Sequence, residues 1–115
     1  MNTINNLETL NEFQQHAMST AIYPTNTPEG LHYATLKLAS EAGEVAGKVG
    51  KMILAGTALE DVRKAIADEL GDILFYIAAC ANEVGYTLKQ IGNFNADKRE
   101  DRVARGAVIG DGDQR

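Results

Sequence analysis

The chain has 115 residues, a net charge of −5, 44% apolar residues and 23% charged residues, a composition typical of one folded domain spanning residues 1–115. Binding to a nucleic-acid backbone needs clustered cations, and none precede the C-terminal part, so we expect no nucleic-acid partner. The single cysteine, Cys80, excludes an internal disulfide and a zinc site built from several thiolates. No apolar run reaches membrane-spanning length and the first residues do not resemble a signal peptide, so we expect a cytoplasmic protein that binds no membrane.

The first half of the chain predicts two helices separated by a turn. A moderate apolar stripe predicts the first helix over residues 6–19, and the stretch "YPTNTPEG" that follows contains both prolines of the chain. Thr27 followed by Pro28 is typical of a helix start, with the hydroxyl as N-cap and proline at the first helical position. Apolar residues then repeat every seven residues and predict a second helix that runs to about Leu54 and ends at Gly56.

Two capping boxes predict the starts of two further helices. Thr57 with Glu60 predicts a third helix that runs to about residue 84, and Thr87 with Gln90 predicts a fourth that runs to about residue 102. Residues 107–115, rich in glycine and aspartate, are predicted to be an irregular tail. We therefore predict an all-α fold, an antiparallel four-helix bundle, whose leftover apolar surface favours a homo-oligomer.

Two pairs of acids lie beside the apolar faces of the second and third helices. Glu41 and Glu44 are three residues apart in "SEAGEV", and Glu69 and Asp72 are three residues apart in "ADELGD". Because three residues make about one helical turn, each pair lies on one flank of its helix. If the two helices pack antiparallel, the four carboxylates approach one another, and their repulsion favours a bound cation. Carboxylate oxygens suit Mg²⁺, Mn²⁺ or Ca²⁺, and Mg²⁺ commonly takes substrate phosphates as further ligands.

The alternative is that these acids form a solvated helix face without a metal. Acids three residues apart are common on exposed faces, where Glu41 would pair with Lys37 or Lys48 and Glu69 would contact only water. Under this alternative the chain is a non-catalytic helical module for oligomerisation. The spacing of the acids leaves both interpretations open.

The stretches "KLASEAGEVAGKV" and "DELGDILFYIA" resemble the MazG-like members of the all-α nucleoside triphosphate pyrophosphohydrolase superfamily. The family pattern is E-E-x-x-E on one helix and E-x-x-D on the next. Glu41, Glu44, Glu69 and Asp72 match its acids, whereas Ser40 stands where the pattern has its first acid. The resemblance extends over about residues 30–106.

This resemblance implies an enzyme that cleaves nucleoside triphosphates between the α- and β-phosphates, releasing a monophosphate and pyrophosphate. It implies that the four matching acids are catalytic and hold Mg²⁺, with Mn²⁺ as a possible substitute, and that one of them is the base for the attacking water. Lys37, four residues before the first acid, is expected to contact phosphate. Tyr76, four residues after the last acid, is expected to contact the nucleotide.

The C-terminal stretch "NADKREDRVARG" resembles the N-x-x-K-x-x-x-R-x-x-R-G ending of some MazG-like proteins. The residues expected to contact the triphosphate are Asn95, Lys98, Arg102 and Arg105. Cations near a helix C-terminus are also favoured by the helix dipole, which is a purely structural explanation for each of them. The family commonly forms dimers or tetramers, so we expect a homodimer or homotetramer with a nucleoside triphosphate substrate. Hydrolysis of dUTP or of a phosphoribosyl nucleotide, within the same superfamily, is the alternative.

Overall fold

A computed structural model describes residues 6–106 as four α-helices, and no strand occurs within that range. The helices are α1 (Leu10–Ser19), α2 (Pro28–Ala55), α3 (Leu59–Glu83) and α4 (Leu88–Ala104). The prediction of an all-α fold is confirmed. The tail predicted over residues 107–115 lies outside the described residues.

Side-chain caps fix the starts of α2 and α4 where they were predicted. The Thr27 hydroxyl accepts a hydrogen bond from the N–H of Gly30, and Pro28 occupies the first helical position. At α4, Thr87 and Gln90 form the complete capping box, each side chain accepting from the other's backbone N–H. These local bonds satisfy N–H groups that have no partner inside the helix, so a short sequence signal is enough to place both starts.

The start of α1 was predicted three to four residues too early. The helix begins at Leu10, because Thr9 and Glu12 form a capping box that the apolar pattern did not indicate. The Glu12 carboxylate accepts from the N–H groups of Thr9 at 2.9 Å and Glu8 at 2.8 Å. These bonds hold the pKa of Glu12 below its usual value, with the Glu8 bond as the largest cause.

The capping box predicted at Thr57 is wrong. The N-cap of α3 is Ala58, which makes no side-chain cap bond. Thr57 instead completes the C-terminus of α2: its N–H donates to the carbonyl of Met52 at 3.0 Å, and the preceding Gly56 adopts a left-handed conformation with φ of 66°. This arrangement is a Schellman motif, and it commits the backbone of Thr57 to the preceding helix.

The two longest helices, α2 and α3, pack as an antiparallel hairpin. Glu41 of α2 lies near Asp72 of α3. Lys48, further along α2, contacts Glu69, which comes before Asp72 on α3, so the two helices run in opposite directions. Within residues 6–106, α2 contacts no other helix. α1 packs against α3 and α4, and α4 contacts α1 and α3. The fold is therefore a two-helix hairpin with α1 and α4 packed at the far end of α3.

The core of the chain is small and lies between α1, α3 and the start of α4. Its buried members are Ala17, Ala78, Ala81 and Leu88. One buried polar residue, Gln14, joins the three elements: its side-chain amide donates to the carbonyl of Tyr86 at 3.1 Å and accepts from the N–H of Leu88 at 2.9 Å. Because a buried amide is costly unless its bonds are satisfied, Gln14 fixes how α1 sits against the α3–α4 turn.

Most of α2 remains outside this core. The radius of gyration is 16.8 Å, whereas a compact domain of about 100 residues has roughly 13 Å. Within the described part of the chain, no helix combines the length and apolarity that crossing a membrane requires.

Candidate functional site

Three of the four predicted acids meet between α2 and α3. Glu41 of α2 and Glu69 and Asp72 of α3 each place a carboxylate oxygen within 4.8 Å of the other two. We call these three residues the acid cluster. The meeting follows from the helical period, because acids one turn apart on facing flanks come together when the helices run antiparallel.

Glu44 lies outside this group, at an exposed position one turn further along α2. It is nevertheless close enough to act on Glu41 electrostatically. Loss of hydration is the main cause that raises the pKa of Glu41 above its usual value, and the charge of Glu44 is the second. Asp72 and Glu69 raise that pKa further, whereas Lys37 lowers it. The site thus holds more negative charge than its own cations balance.

Glu69 is a largely enclosed member of the acid cluster. Its side chain is 17% exposed, and Oε1 lies 3.8 Å from the Nζ of Lys48. Its other oxygen, Oε2, is buried and has no hydrogen-bond partner among the described residues. A buried carboxylate oxygen without a partner is costly, so Oε2 calls for a ligand that the described chain does not supply.

The acid cluster offers the donor set that a hard divalent cation requires. Its ligands are carboxylate oxygens alone, which suit Mg²⁺ or Mn²⁺ rather than zinc or copper. A cation bound there would offset the mutual repulsion of the acids, which adds to loss of hydration in raising the pKa of Glu41. The residues present therefore fit a hard divalent cation, the class to which Mg²⁺ belongs.

Lys37 and Tyr76 flank the acid cluster on its α1 side. Lys37 lies one turn before Glu41, and its Nζ is 5.8 Å from the centre of the Tyr76 ring. Burial raises the pKa of Tyr76 to about 12, and a hydrogen bond with Tyr33 and the charge of Glu41 contribute. Lys37 and Tyr76, two of the six residues predicted to contact substrate, thus lie next to the acids.

Two further tyrosines continue from Tyr76 towards the α1–α2 loop. Tyr33 packs edge-on against Tyr76 with ring centres 6.4 Å apart, and Tyr23 stacks on Tyr33 with ring centres 5.4 Å apart. We call these three residues the tyrosine row. Neither Tyr33 nor Tyr23 was predicted from the sequence as a site residue. Tyr33 could have been noticed, because it lies one turn before Lys37, but Tyr23 lies in a loop where no period applies.

The residues predicted at the C-terminal end lie on α4 or at its C-cap. Asn95 and Lys98 are exposed, whereas Arg102 is only 6% exposed. The Nε of Arg105 donates to a carboxylate oxygen of Asp101 at 2.7 Å. Within residues 6–106, α4 contacts α1 and α3 but not α2, the helix that carries Glu41. Their role in binding phosphate stays a prediction.

Comparison with known proteins gives one family. The family model described as the MazG nucleotide pyrophosphohydrolase domain matches residues 30–105, which include all of α2 except its first two residues, all of α3 and α4, and the acid cluster. The chain is also 38% identical over 109 residues to the gene 37 protein of Mycobacterium phage L5, and the alignment covers 90% of this chain and 96% of that protein. No solved structure matches the chain.

Proposed function

The chain belongs to the MazG nucleotide pyrophosphohydrolase family, and on that premise we propose that it is a Mg²⁺-dependent enzyme that cleaves nucleoside triphosphates into a monophosphate and pyrophosphate. Mn²⁺ is the substitute that the same ligands accept. The observation that carries the proposal is that Glu69, one of three clustered acids, has a buried Oε2 atom without a hydrogen-bond partner within residues 6–106. A helix face that merely carries solvated acids has no need to bury one of their oxygens.

The acids divide into two roles. Glu41, Glu69 and Asp72 hold the cation, because their oxygens converge. The cation, when bound, supplies positive charge to the phosphate oxygens on which negative charge develops. Glu44 is exposed beside the cluster and is not needed as a ligand by that geometry, so its carboxylate is the one available to accept the proton of the attacking water.

Lys37 binds a phosphate oxygen beside the acids. Its ammonium group lies over the Tyr76 ring, one turn from Glu41, and therefore next to where a cation-bound phosphate must sit. The Tyr76 ring attracts the ammonium group of Lys37, and this attraction limits the conformations of the flexible lysine side chain. Holding the charge in place before substrate arrives reduces the entropy lost on binding.

Turnover of a panel of nucleotides with Mg²⁺ tests this proposal. The panel contains ribo- and deoxynucleoside triphosphates, dUTP and a phosphoribosyl nucleotide, so that the related activities of the superfamily are measured beside the proposed one. Asp72→Asn should lower turnover at least about 100-fold. Replacing a residue that only orients a metal ligand already lowers activity by up to about 100-fold, and loss of the ligand itself should lower it at least as much. The matched control is Asp68→Asn, the same change one turn earlier, at an exposed acid whose ion pair is with Lys64. Equal turnover by both variants would contradict the assignment of Asp72.

We also propose that the chain is a homo-oligomer that packs through the side of α2 facing away from α3. From Leu36 onwards, the exposed residues of this outer face are Leu36, Ala39, Gly43, Ala46, Gly47, Gly50, Ile53 and Leu54. None is charged, and Ile53 and Leu54 are 67% and 90% exposed. A helix that is apolar on both sides is normally buried on both sides, and the small residues between the larger ones allow a second helix to approach closely. A second copy of the chain is the occupant that the extended shape supports.

Sedimentation or light scattering of charged variants tests this oligomer. Leu36→Glu places a charge on the outer face and should shift the protein towards the monomer, because a buried unpaired charge is strongly unfavourable. The control is Ile22→Glu, at a residue of the α1–α2 loop that is 95% exposed and should leave the mass unchanged. The non-catalytic alternative gives the same masses but no turnover, so the two assays together separate it from the enzyme.

A further inference from the structure

The tyrosine row extends directly from the acid cluster along the start of α2. Tyr33 lies four residues before Lys37 and eight before Glu41, which places its backbone about 6 Å and about 12 Å from theirs along the helix axis. The order along the helix is therefore acids, ammonium group, aromatic ring. The order along a nucleoside triphosphate is polyphosphate, sugar, base.

Tyr33 offers an aromatic surface that the fold does not fully cover. It is 38% exposed although its ring stacks on Tyr23 at an interplanar angle of 28°. Tyr76 meets it edge-on at 67°. A core aromatic would be enclosed by apolar side chains, whereas this ring is supported from one side and at its edge and remains partly open to solvent.

The loop that carries Tyr23 is held in place by bonds to α3. The two carboxylate oxygens of Glu83 accept from the N–H groups of Asn26 at 2.9 Å and Thr27 at 3.2 Å. Asn26 has a positive φ of 61°, and Gly30 lets the loop approach so closely that a Cβ there would overlap the carbonyl oxygen of Pro24. Such a junction keeps the Tyr23 ring against Tyr33 instead of leaving it on a mobile loop, and a rigid surface loses less entropy on binding.

From this arrangement we propose that Tyr33, backed by Tyr23, is the surface on which the base of the substrate nucleotide stacks. The proposal rests on the proposed function, since it takes the acid cluster as the place of the phosphates. Base stacking on an aromatic ring tolerates every base, because each has a π-face. The subsite therefore selects nucleotides over inorganic polyphosphate and does not by itself choose among bases.

Calorimetric titration of two ligands in the presence of Mg²⁺ tests the subsite without turnover. The first ligand is a nucleoside triphosphate with a non-hydrolysable methylene bridge between its α- and β-phosphates. The second is inorganic tripolyphosphate, which has no base. Tyr33→Leu should weaken binding of the nucleotide analogue about 5-fold to 150-fold, the range that stacking of one base gives, and should leave binding of tripolyphosphate unchanged.

Two variants serve as controls. Tyr33→Phe keeps the ring and should bind the analogue nearly as tightly as the unaltered protein does. Tyr86→Leu changes a tyrosine that is 45% exposed but whose ring pairs with Phe94 of α4, and it should change the binding of neither ligand.

The outcomes separate this inference from the proposed function. Equal weakening of both ligands by Tyr33→Leu, no weakening at all, or no measurable binding of the analogue by the unaltered protein would overturn the base subsite. Undiminished turnover of nucleoside triphosphates in those cases would leave the proposed function standing. Base-dependent binding without any turnover would refute the proposed function and retain the subsite.

Discussion

Neutralising one acid of the cluster should have opposite effects on stability with and without Mg²⁺. In Asp72→Asn the side chain keeps its shape and loses its charge. Without metal the variant should be more stable than the unaltered protein, because a repulsion inside the folded state disappears. With Mg²⁺ the order should reverse, because the unaltered protein gains more from the bound cation.

The size of both effects can be worked out. Two unit charges 4.8 Å apart, the span within which the oxygens of Glu69 and Asp72 lie, repel by about 1 kcal/mol at the dielectric constant of water, which is the appropriate limit for an exposed Asp72. With Mg²⁺ at about 100 times its dissociation constant, binding stabilises the native protein by about 2.7 kcal/mol. If the variant binds Mg²⁺ about 100-fold more weakly, it gains only about 0.4 kcal/mol from the same concentration.

In Mg²⁺ the free energy of unfolding of the unaltered protein should therefore exceed that of the variant by about 1.3 kcal/mol. This value is the difference between the two gains from Mg²⁺ binding, minus the repulsion that the variant no longer has. In a domain of this size these changes correspond to shifts of several degrees in Tm, since 1 kcal/mol shifts it by about 4 °C or more. The sign reversal is more informative than either shift, because general damage to the fold lowers Tm under both conditions.

Thermal unfolding at equal protein concentration, with EDTA or with Mg²⁺, measures the effect. Asp68→Asn is the control and should respond to Mg²⁺ as the unaltered protein does. Acidification supplies a second check: the pKa of Glu41 is raised, so the folded state binds protons more readily than the unfolded state, and metal-free stability should fall as the pH rises through that pKa. The reasoning is refuted if Asp72→Asn is less stable than the unaltered protein in EDTA and both gain equally from Mg²⁺.

Two further predictions concern the junctions that position the site. Gly30→Ala should lower the free energy of unfolding by about 1–3 kcal/mol, because the new Cβ overlaps the carbonyl oxygen of Pro24. Gly92→Ala lies in open space on α4 and should raise it by up to about 1 kcal/mol. Chemical denaturation of both variants checks this difference in sign. Thr27→Ala should cost about 1 kcal/mol because it removes an N-cap, whereas Thr57→Ala should cost clearly less because no cap bond is lost there; similar losses in the two variants would count against the cap assignment.

Local chemistry explains why some helix starts could be predicted and one could not. At Thr27 and Thr87 the C-terminus of the preceding helix does not use the backbone of the cap residue, so a short motif suffices. At Thr57 the same motif overlaps the end of α2, and the bond from its N–H to Met52 takes precedence. A capping box that directly follows a glycine C-cap is therefore a weaker signal than one that follows a longer loop.

The acid cluster was predictable because it depends on two regular features, the helical period and the antiparallel hairpin. The ion pairs and ring contacts around the acid cluster were harder to predict. Lys48 was considered as a partner of Glu41, but its ion pair is with Glu69. The lysine side chain is long enough to reach either acid, and the helical pattern alone does not show which of them it contacts. The tyrosine row depends on the path of the α1–α2 loop, which Glu83 sets from a residue far away in the sequence. No local pattern indicates that bond.

Phosphorus NMR of a nucleoside triphosphate incubated with the protein and Mg²⁺ tests the central claim most directly. Because each product has its own resonances, one spectrum identifies the bond that is cleaved. The account predicts that pyrophosphate and the nucleoside monophosphate appear together and that EDTA stops their formation. Release of phosphate with a nucleoside diphosphate, or cleavage that continues in EDTA, would contradict it.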